Sequence, residues 1–164
     1  MEESEKRSKE ILILGFGSDV LSDEGIALHV LKDLEKKWNK IADFNTYLVF
    51  NLDVINDIAA YKTLILIDAC EEELEGIVKN FPLEDYIPTL HLSNYHDTSL
   101  PEGIAFGRQM DFEMPEKIEI ITISIKEIGL IGNDLTKKLK GNYDAILEKI
   151  EGIITELVLD SVNS

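Results

Sequence analysis

The apolar positions of the chain fall into short continuous runs, separated by stretches in which they recur at helical spacing. The runs Ile11–Leu14 and Thr63–Ala69 are almost wholly apolar, which is typical of strands buried on both faces of a parallel sheet. Lys117–Ile125 and Asn45–Phe50, rich in β-branched or aromatic residues, predict two more strands. Gly76–Phe81 is more polar and is followed by proline, so it suits the edge of the sheet.

Four stretches predict helices. The first follows the opening loop and faces the sheet with Ala27, Val30, Leu31, Leu34 and Trp38. A short helix is predicted over Asp53–Tyr61, with the side chains of Val54, Ile58 and Tyr61 facing the core. Ser99 and Glu102 match a capping box before a helix from about Leu100 to Met110. Thr136 can cap a long final helix, whose apolar seam consists of Leu139, Tyr143, Ile146, Ile150, Ile153 and Leu157.

Strands and helices alternate along the chain, with the edge strand placed before the third helix. This order predicts an α/β fold, a three-layer α/β/α sandwich around a mainly parallel five-stranded sheet with one edge strand. The crossovers between parallel strands are expected to be right-handed. Residues 1–10 are mostly charged and predict a flexible N-terminal arm, and residues 11–160 predict a single α/β/α domain.

Charge and composition disfavour several classes of function. The 164 residues carry 32 acidic against 16 basic side chains, a formal charge of −16, which repels nucleic-acid phosphates and anionic lipids. No apolar run approaches the ~20 residues of a membrane span, and the charged start predicts no secretory signal. We therefore expect no nucleic-acid partner and no membrane insertion. The single cysteine is typical of the reducing cytoplasm, where we expect the protein to act.

The loop after the first strand carries the most informative residues. Gly15 and Gly17 allow a sharp turn and could begin a dinucleotide fingerprint, but Val20 occupies the position of the third glycine. The acidic side chains of Asp23 and Glu24 also stand where a phosphate would bind. The sequence therefore disfavours a nucleotide. It places carboxylates at the carboxyl edge of the sheet instead, where open α/β proteins bind ligands.

Three residues of metal-ligand type converge on that edge in the predicted topology. Glu24 lies in the loop after the first strand, Asp68 closes the third strand, and His96 lies in the long loop before the third helix. Two carboxylates and an imidazole suit a divalent transition metal with open coordination positions. Each residue also has a structural interpretation, as a helix-dipole partner, a chain-end cap and a solvated side chain respectively. Both interpretations stay open at this point.

Cys70 with His91 or His96 offers a different arrangement, a thiol nucleophile with its base. Cys70 is close in sequence to Asp68 and to the acidic residues 71–73, and such a neighbourhood raises the pKa of a thiol. We therefore interpret Cys70 as a small apolar residue at a strand end. Whether His91 or His96 faces the cleft is left open by the sequence.

The opening residues resemble a known signature. Ile11–Gly17, followed by Leu21 and by Asp23-Glu24-Gly25, is similar to the N-terminal signature of the hydrogenase maturation proteases: an apolar strand, G-x-G-N, four residues and D-D/E-G. Members of this family are endopeptidases that trim the C-terminal tail of the large subunit of nickel–iron hydrogenases after nickel insertion. The resemblance continues through the third strand, the loop histidine, the last strand and the closing helix, and it implies an α/β/α sandwich.

The resemblance also implies a site and a function. The family's metal-contacting trio corresponds by position to Glu24, Asp68 and His96, which become the implied catalytic and metal-binding residues. Nickel carried by the substrate is the implied recognition element, with no permanent cofactor. The implied partner is a hydrogenase large-subunit precursor, and the implied function is an endopeptidase that removes its C-terminal tail once nickel is loaded.

Departures from the family pattern motivate an alternative function. Ser18 replaces an asparagine, Ala27 replaces a glycine, and Asn51-Leu52-Asp53 replaces a glycine-rich loop after the second strand. These changes fit a divergent, non-proteolytic member that binds a hydrogenase precursor or another partner as a chaperone-like module. A flavodoxin-like binder of a flavin or nucleotide is the other hypothesis, and it predicts that a cofactor copurifies with the protein.

Overall fold

The computed structural model describes residues 9–93 and 98–163, and within them the chain forms one five-stranded sheet flanked by helices. The strands are β1 (Ile11–Phe16), β2 (Ala42–Tyr47), β3 (Thr63–Glu71), β4 (Val78–Pro82) and β5 (Lys117–Ile125). Their spatial order is β2-β1-β3-β5-β4. Neighbouring strands are parallel except for β4, which runs antiparallel to β5 at one edge. The mainly parallel sheet with one edge strand is thus confirmed.

Helices cover both faces of this sheet. They are α1 (Ile26–Trp38), α2 (Asp53–Ile58), α3 (Leu100–Gln109) and α4 (Lys137–Asn163). One core joins α1 and α4 to Ile11, Ile13, Ile65, Ile67, Ile121 and Ile123. A second core joins α2 and α3 to Leu12, Leu14, Phe16, Leu64, Leu66 and Ile120. Successive strand residues point to opposite faces, so a continuous apolar run fills both cores and makes the three-layer sandwich.

The second strand lies earlier in the chain than predicted. Asn45–Phe50 was the expected strand, whereas β2 pairs with β1 from Ile11↔Ala42 to Phe16↔Tyr47. β2 is the other edge of the sheet, and only Ala42 in it is buried, so polar residues alternate with its apolar ones and the strand has no continuous apolar run. Phe50 lies beyond the strand and is fully buried in the second core, which explains the misleading apolar run.

Two element ends also differ from the prediction. The helix predicted over Asp53–Tyr61 ends at Ile58, because Ala60 adopts a left-handed φ of 69° that no helix continues through. β3 continues past Ala69 to Glu71, since its pairing with β5 extends to the Glu71↔Ile125 pair. Asp68 therefore lies inside β3 rather than at its end.

Other predicted elements are confirmed in type and place. β5 has the predicted bounds, and α3 ends one residue before the expected Met110. The capping box before α3 is present, with the Ser99 amide donating to the Glu102 carboxylate at 3.0 Å. The buried seam of α4 is as predicted except that Tyr143 and Ile153 are only partly buried, and it also includes Ile154 and Val158.

None of the helices in residues 9–93 and 98–163 combines the length and apolar character that a membrane crossing requires. Most of the predicted N-terminal arm, residues 1–10, lies outside the described part of the chain. The bounds predicted for the domain, residues 11–160, stay a prediction.

Candidate functional site

The segment between β1 and α1 reaches the carboxyl edge of the sheet and packs closely on itself. Gly17 has a φ of 145°, and a Cβ there would meet the Glu24 carbonyl oxygen at 2.5 Å. A Cβ on Gly25 would meet the Ser18 carbonyl oxygen at the same distance. Both glycines are therefore needed for the two ends of this segment to touch. Their contact fixes the backbone on which Asp23 and Glu24 stand.

The Asp23 side chain is fully buried and holds the start of α4. The Thr136 amide and hydroxyl donate to its two carboxylate oxygens, each at 2.8 Å. Ser22 reinforces this contact, because its hydroxyl donates to the Asp134 carbonyl at 2.8 Å and its amide to the Gly132 carbonyl at 2.8 Å. The Thr136 hydroxyl, predicted as a helix cap, thus serves as a donor to Asp23. The loop between β5 and α4 is bound to the loop after β1.

Glu24 divides its two carboxylate oxygens between this loop and the site. Glu24 is only 8% exposed, and its Oε2 accepts a hydrogen bond from the Gly129 amide at 2.7 Å. Oε1 lies 4.0 Å from Nε2 of His91. One oxygen therefore fixes the side chain while the other faces an imidazole.

Asp68 is fully buried and accepts four hydrogen bonds. Its Oδ1 accepts from the Ala69 amide at 2.8 Å and pairs with Nδ1 of His91 at 2.7 Å. Its Oδ2 accepts from the Thr89 hydroxyl at 2.5 Å and from the His91 amide at 2.7 Å. A carboxylate has about four lone-pair sites, so these donors occupy all of them. Asp68 thereby fixes the chain from Thr89 to His91 against β3.

His91 lies between the two acids. Its side chain is 11% exposed, and its carbonyl accepts from the Phe50 amide at 2.8 Å. Burial lowers its pKa, but the hydrogen bond to Asp68 and the negative charges of Asp68 and Glu24 outweigh burial and raise the pKa above its ordinary value. The result is an oriented imidazole with Nδ1 engaged and Nε2 directed toward a second carboxylate.

The sequence placed Glu24 and Asp68 at one edge of the sheet, and both lie there, on either side of His91. His96, the third predicted residue, falls outside the described residues, so its part in the site stays a prediction. Within residues 9–93 and 98–163, no three His, Cys, Asp or Glu side chains are grouped to hold a metal ion. The sequence leaves open whether His91 or His96 faces the cleft, and the structure places the His91 ring between Glu24 and Asp68.

Cys70 takes no part in this arrangement. It is the one cysteine of the chain and is partly buried, and its thiol donates weakly to the Glu72 carboxylate at 3.8 Å. Burial raises the pKa of the Cys70 thiol, and Glu72 adds to the effect. A thiol of raised pKa is a poor nucleophile at neutral pH, which agrees with the structural interpretation made from the sequence.

The sequence matches no family model and no curated protein. Among solved structures, the chain is similar to the hydrogenase maturating endopeptidase HybD from E. coli, with a TM-score of 0.69 and 19% identity, over 90% of this chain and 93% of that one. It is also similar to the [NiFe] hydrogenase maturation protease HybD from Thermococcus kodakarensis, with a TM-score of 0.66 and 21% identity, over 88% and 98% of the two chains. A third similar structure is HycI, a [NiFe] hydrogenase maturation protease from Thermococcus kodakarensis KOD1, at 20% identity and a TM-score of 0.62, over 89% of this chain and 92% of that one. The chain has the fold of these proteases, and the fold implied by the sequence resemblance is confirmed.

Proposed function

We propose that the protein is an endopeptidase that removes the C-terminal tail of a nickel-loaded hydrogenase large-subunit precursor. Two independent lines support this proposal. The fold is that of proteins named as hydrogenase maturation proteases, over about nine-tenths of the chain. The signature Asp23-Glu24-Gly25 occupies the edge of the sheet where α/β proteins bind ligands.

The observation that carries the proposal is the alignment of Asp68, His91 and Glu24. A fully buried carboxylate holds an imidazole at 2.7 Å, and the opposite ring nitrogen faces a second carboxylate at 4.0 Å. Nitrogen and oxygen donors of this kind bind divalent transition metals. A buried carboxylate that orients a histidine and raises its pKa is a frequent feature of functional sites.

Nickel is the recognition element of the substrate in this proposal, and the protein needs no resident cofactor. By the sequence resemblance, Glu24, Asp68 and His96 form the nickel-contacting and catalytic set. A metal held at the cleft can orient the tail and polarise the scissile carbonyl or an attacking water. Water is then the nucleophile, which agrees with the raised pKa of Cys70. We expect the reaction to take place in the cytoplasm.

A cleavage assay on purified precursor tests this proposal. The wild-type protein is expected to shorten the nickel-loaded precursor and to leave the nickel-free precursor intact. Asp68→Ala and His96→Ala are expected to abolish processing, whereas His29→Ala, which changes a histidine on α1, is the matched control and should process normally. Unimpaired processing by Asp68→Ala or by His96→Ala would remove the proposal.

The chaperone-like alternative makes a different prediction in the same assay. The loop that departs from the family pattern is ordered by its own side chain, since Oδ1 of Asn51 accepts from the Asp53 amide at 2.9 Å ahead of α2. A non-proteolytic member would retain the precursor on a column without shortening it. Binding without cleavage, with or without nickel, would therefore favour the alternative.

A further inference from the structure

Two loops at the carboxyl edge of the sheet expose apolar side chains to solvent. Val20, in the loop after β1, is 58% exposed, and Ile131, in the loop between β5 and α4, is 84% exposed. The loops pair there, since the Gly132 amide donates to the Val20 carbonyl at 3.0 Å and the Ser22 amide to the Gly132 carbonyl at 2.8 Å. Leu21 is thus opposite Gly132, as in a parallel sheet. This pairing brings the preceding residues next to one another, and we refer to Val20 and Ile131 together as the apolar platform.

The backbone beneath the apolar platform is fixed before any partner binds. Ser22 has a left-handed φ of 42°, a conformation that is costly for a residue with a Cβ. Its hydroxyl donates to the Asp134 carbonyl at 2.8 Å, which joins the two loops a second time and holds this conformation. Because the loops are already ordered, a partner that covers the platform loses little affinity to the cost of ordering them.

The second loop extends this apolar surface toward the candidate site. Ile128 is 42% exposed and Leu130 is 46% exposed. Between them, the Gly129 amide donates to Oε2 of Glu24 at 2.7 Å. Exposed apolar surface bordered by polar residues is typical of places where another molecule binds. The apolar platform therefore belongs to a surface that adjoins the candidate site without being part of it.

The charge around the apolar platform restricts what can cover it. Residues 17–25 and 126–136 contain five acidic side chains and one basic side chain. Asp19 and Glu127 are exposed, and neither makes an ion pair in residues 9–93 and 98–163. Nucleic acid, anionic lipid and a second copy of this chain, with its formal charge of −16, are all repelled here. A polypeptide segment with an apolar side chain between basic residues complements both the platform and its charge.

We infer that the apolar platform is a docking surface for a partner protein and takes a surface segment in which basic residues flank an apolar side chain. This inference deepens the proposed function, on which it rests for the identity of the partner as the hydrogenase large-subunit precursor. Docking on Val20 and Ile131 contributes to the affinity for the partner and to its selection, while the reaction takes place at the candidate site.

Backbone ¹H–¹⁵N NMR of the intact protein with synthetic peptides tests the surface independently of proteolysis. The probe is a capped peptide of sequence Gly-Lys-Ile-Lys-Gly. At millimolar concentration it is expected to shift the amide signals of Val20, Ile131 and Gly132 and to leave that of Val162, on α4, unchanged. Peptides with alanine for isoleucine, or with glutamate for both lysines, should bind at least about tenfold more weakly. No shift at the platform, or equal binding of the glutamate peptide, overturns the inference.

Variants of the platform test its part in recognition of the precursor. Val20→Ser and Ile131→Ser should each raise KM for the nickel-loaded precursor at least about tenfold and leave kcat unchanged, because they remove binding and not chemistry. Val162→Ser changes a β-branched side chain that is 74% exposed on α4, so it is the matched control and should have wild-type kinetics. Unchanged KM in both platform variants, or a loss of kcat at unchanged KM, overturns the inference.

The outcomes also separate this inference from the proposed function. A protein that binds the uncleaved precursor through Ile131 but never shortens it would support the docking surface and contradict the protease. Processing with unchanged KM in both platform variants would support the protease and overturn the docking surface. A dimer in analytical ultracentrifugation that Ile131→Ser dissociates would make a second copy the occupant and overturn the inference. Binding to phosphatidylserine vesicles that Ile131→Ser abolishes would overturn it in favour of a lipid surface.

Discussion

The two sides of the site are built in different ways. The Glu24 side, residues 17–25 with residues 129–136, is held by backbone contacts at Gly17 and Gly25 and by two neighbouring carboxylates that each bind a backbone amide. The Asp68 side, Asp68 with residues 89–91, has two backbone hydrogen bonds, from the Leu90 amide to the Ala69 carbonyl at 3.1 Å and from the Phe50 amide to the His91 carbonyl at 2.8 Å. One buried carboxylate organises it through four hydrogen bonds.

The two sides should therefore respond differently when a single contact is removed by substitution. On the Glu24 side the restraint is spread over many contacts, so the loss of one hydrogen bond should leave the others in place. On the Asp68 side a single side chain makes four of the hydrogen bonds that hold this part of the chain, so the orientation of the His91 ring depends on it. The predictions that follow test this contrast, from the largest expected effect to the smallest.

Asp68→Ala should have the largest effect. It leaves the Ala69 and His91 amides and the Thr89 hydroxyl without their acceptor, and we expect a loss of about 3 kcal/mol or more in the free energy of unfolding. Urea denaturation measures the loss, and hydrogen exchange at the His91 amide should become much faster. Asp160→Ala, at an aspartate side chain that is 72% exposed, is the control and should change stability by less than about 0.5 kcal/mol. Equal losses in the two variants would contradict a special role for Asp68.

Gly25→Ala should come next, because the new methyl group would lie 2.5 Å from the Ser18 carbonyl oxygen. The backbone must move to admit it, and we expect a loss of about 1–3 kcal/mol in thermal or urea unfolding. Gly141→Ala and Gly152→Ala are matched controls inside α4, where a Cβ meets nothing within 4 Å. These two should raise stability by up to about 1 kcal/mol each, since alanine favours the helix. If Gly25→Ala left the free energy of unfolding unchanged, the close contact between Gly25 and Ser18 would not restrain the Glu24 side, and the prediction would be wrong.

Thr136→Val should have a smaller effect than either. It removes the hydroxyl that donates to Asp23 at 2.8 Å but keeps the amide bond to the same carboxylate and the remaining contacts of the loop. We expect a loss of about 1 kcal/mol in the free energy of unfolding, with metal binding unchanged. Thr155→Val, at an exposed hydroxyl that donates to the Glu151 carbonyl, serves for comparison and should cost less. A loss as large as that of Asp68→Ala would remove the distinction between the two sides.

The smallest expected effect is a dependence of stability on pH that belongs to the Asp68 side. The folded-state pKa of His91 is raised, so its protonated form is stabilised by folding. That stabilisation is fully present below the unfolded pKa of about 6.5 and is lost as the pH rises through the higher folded value. Denaturation curves of the metal-free protein across this range should therefore show the wild type losing stability relative to His91→Gln. The Thr136→Val curve should run parallel to wild type, and parallel curves for all three would contradict the prediction.

The layered fold could be predicted from sequence because its central strands are buried on both faces. β1 and β3 are continuous apolar runs, β5 is rich in β-branched residues, and the polar composition of Gly76–Phe81 indicated an edge strand. β2 was misplaced because an exposed edge strand has little apolar signal and Phe50 contributes its side chain from outside the sheet. Apolar patterns indicate burial, so they are least informative for an edge strand such as β2, in which only one residue is buried.

The site was predictable only in part. Glu24 and Asp68 could be brought together because parallel strands end at one edge, which follows from topology alone. His91 could not be placed, because an irregular loop has no period and its position depends on hydrogen bonds to a carboxylate 23 residues earlier. Nothing in the composition of 83–93 distinguishes a histidine held by a buried acid from one in solvent.

The bond between Asp23 and Thr136 has a consequence for the order of assembly. It joins residues 113 positions apart, and the bond from the Gly129 amide to Glu24 spans 105. While the ribosome is still synthesising β5, the carboxylates of Asp23 and Glu24 lack the amides of Thr136 and Gly129 that donate to them in the folded protein. This edge of the sheet therefore cannot be completed until residues 129–136, in the final third of the chain, have been synthesised.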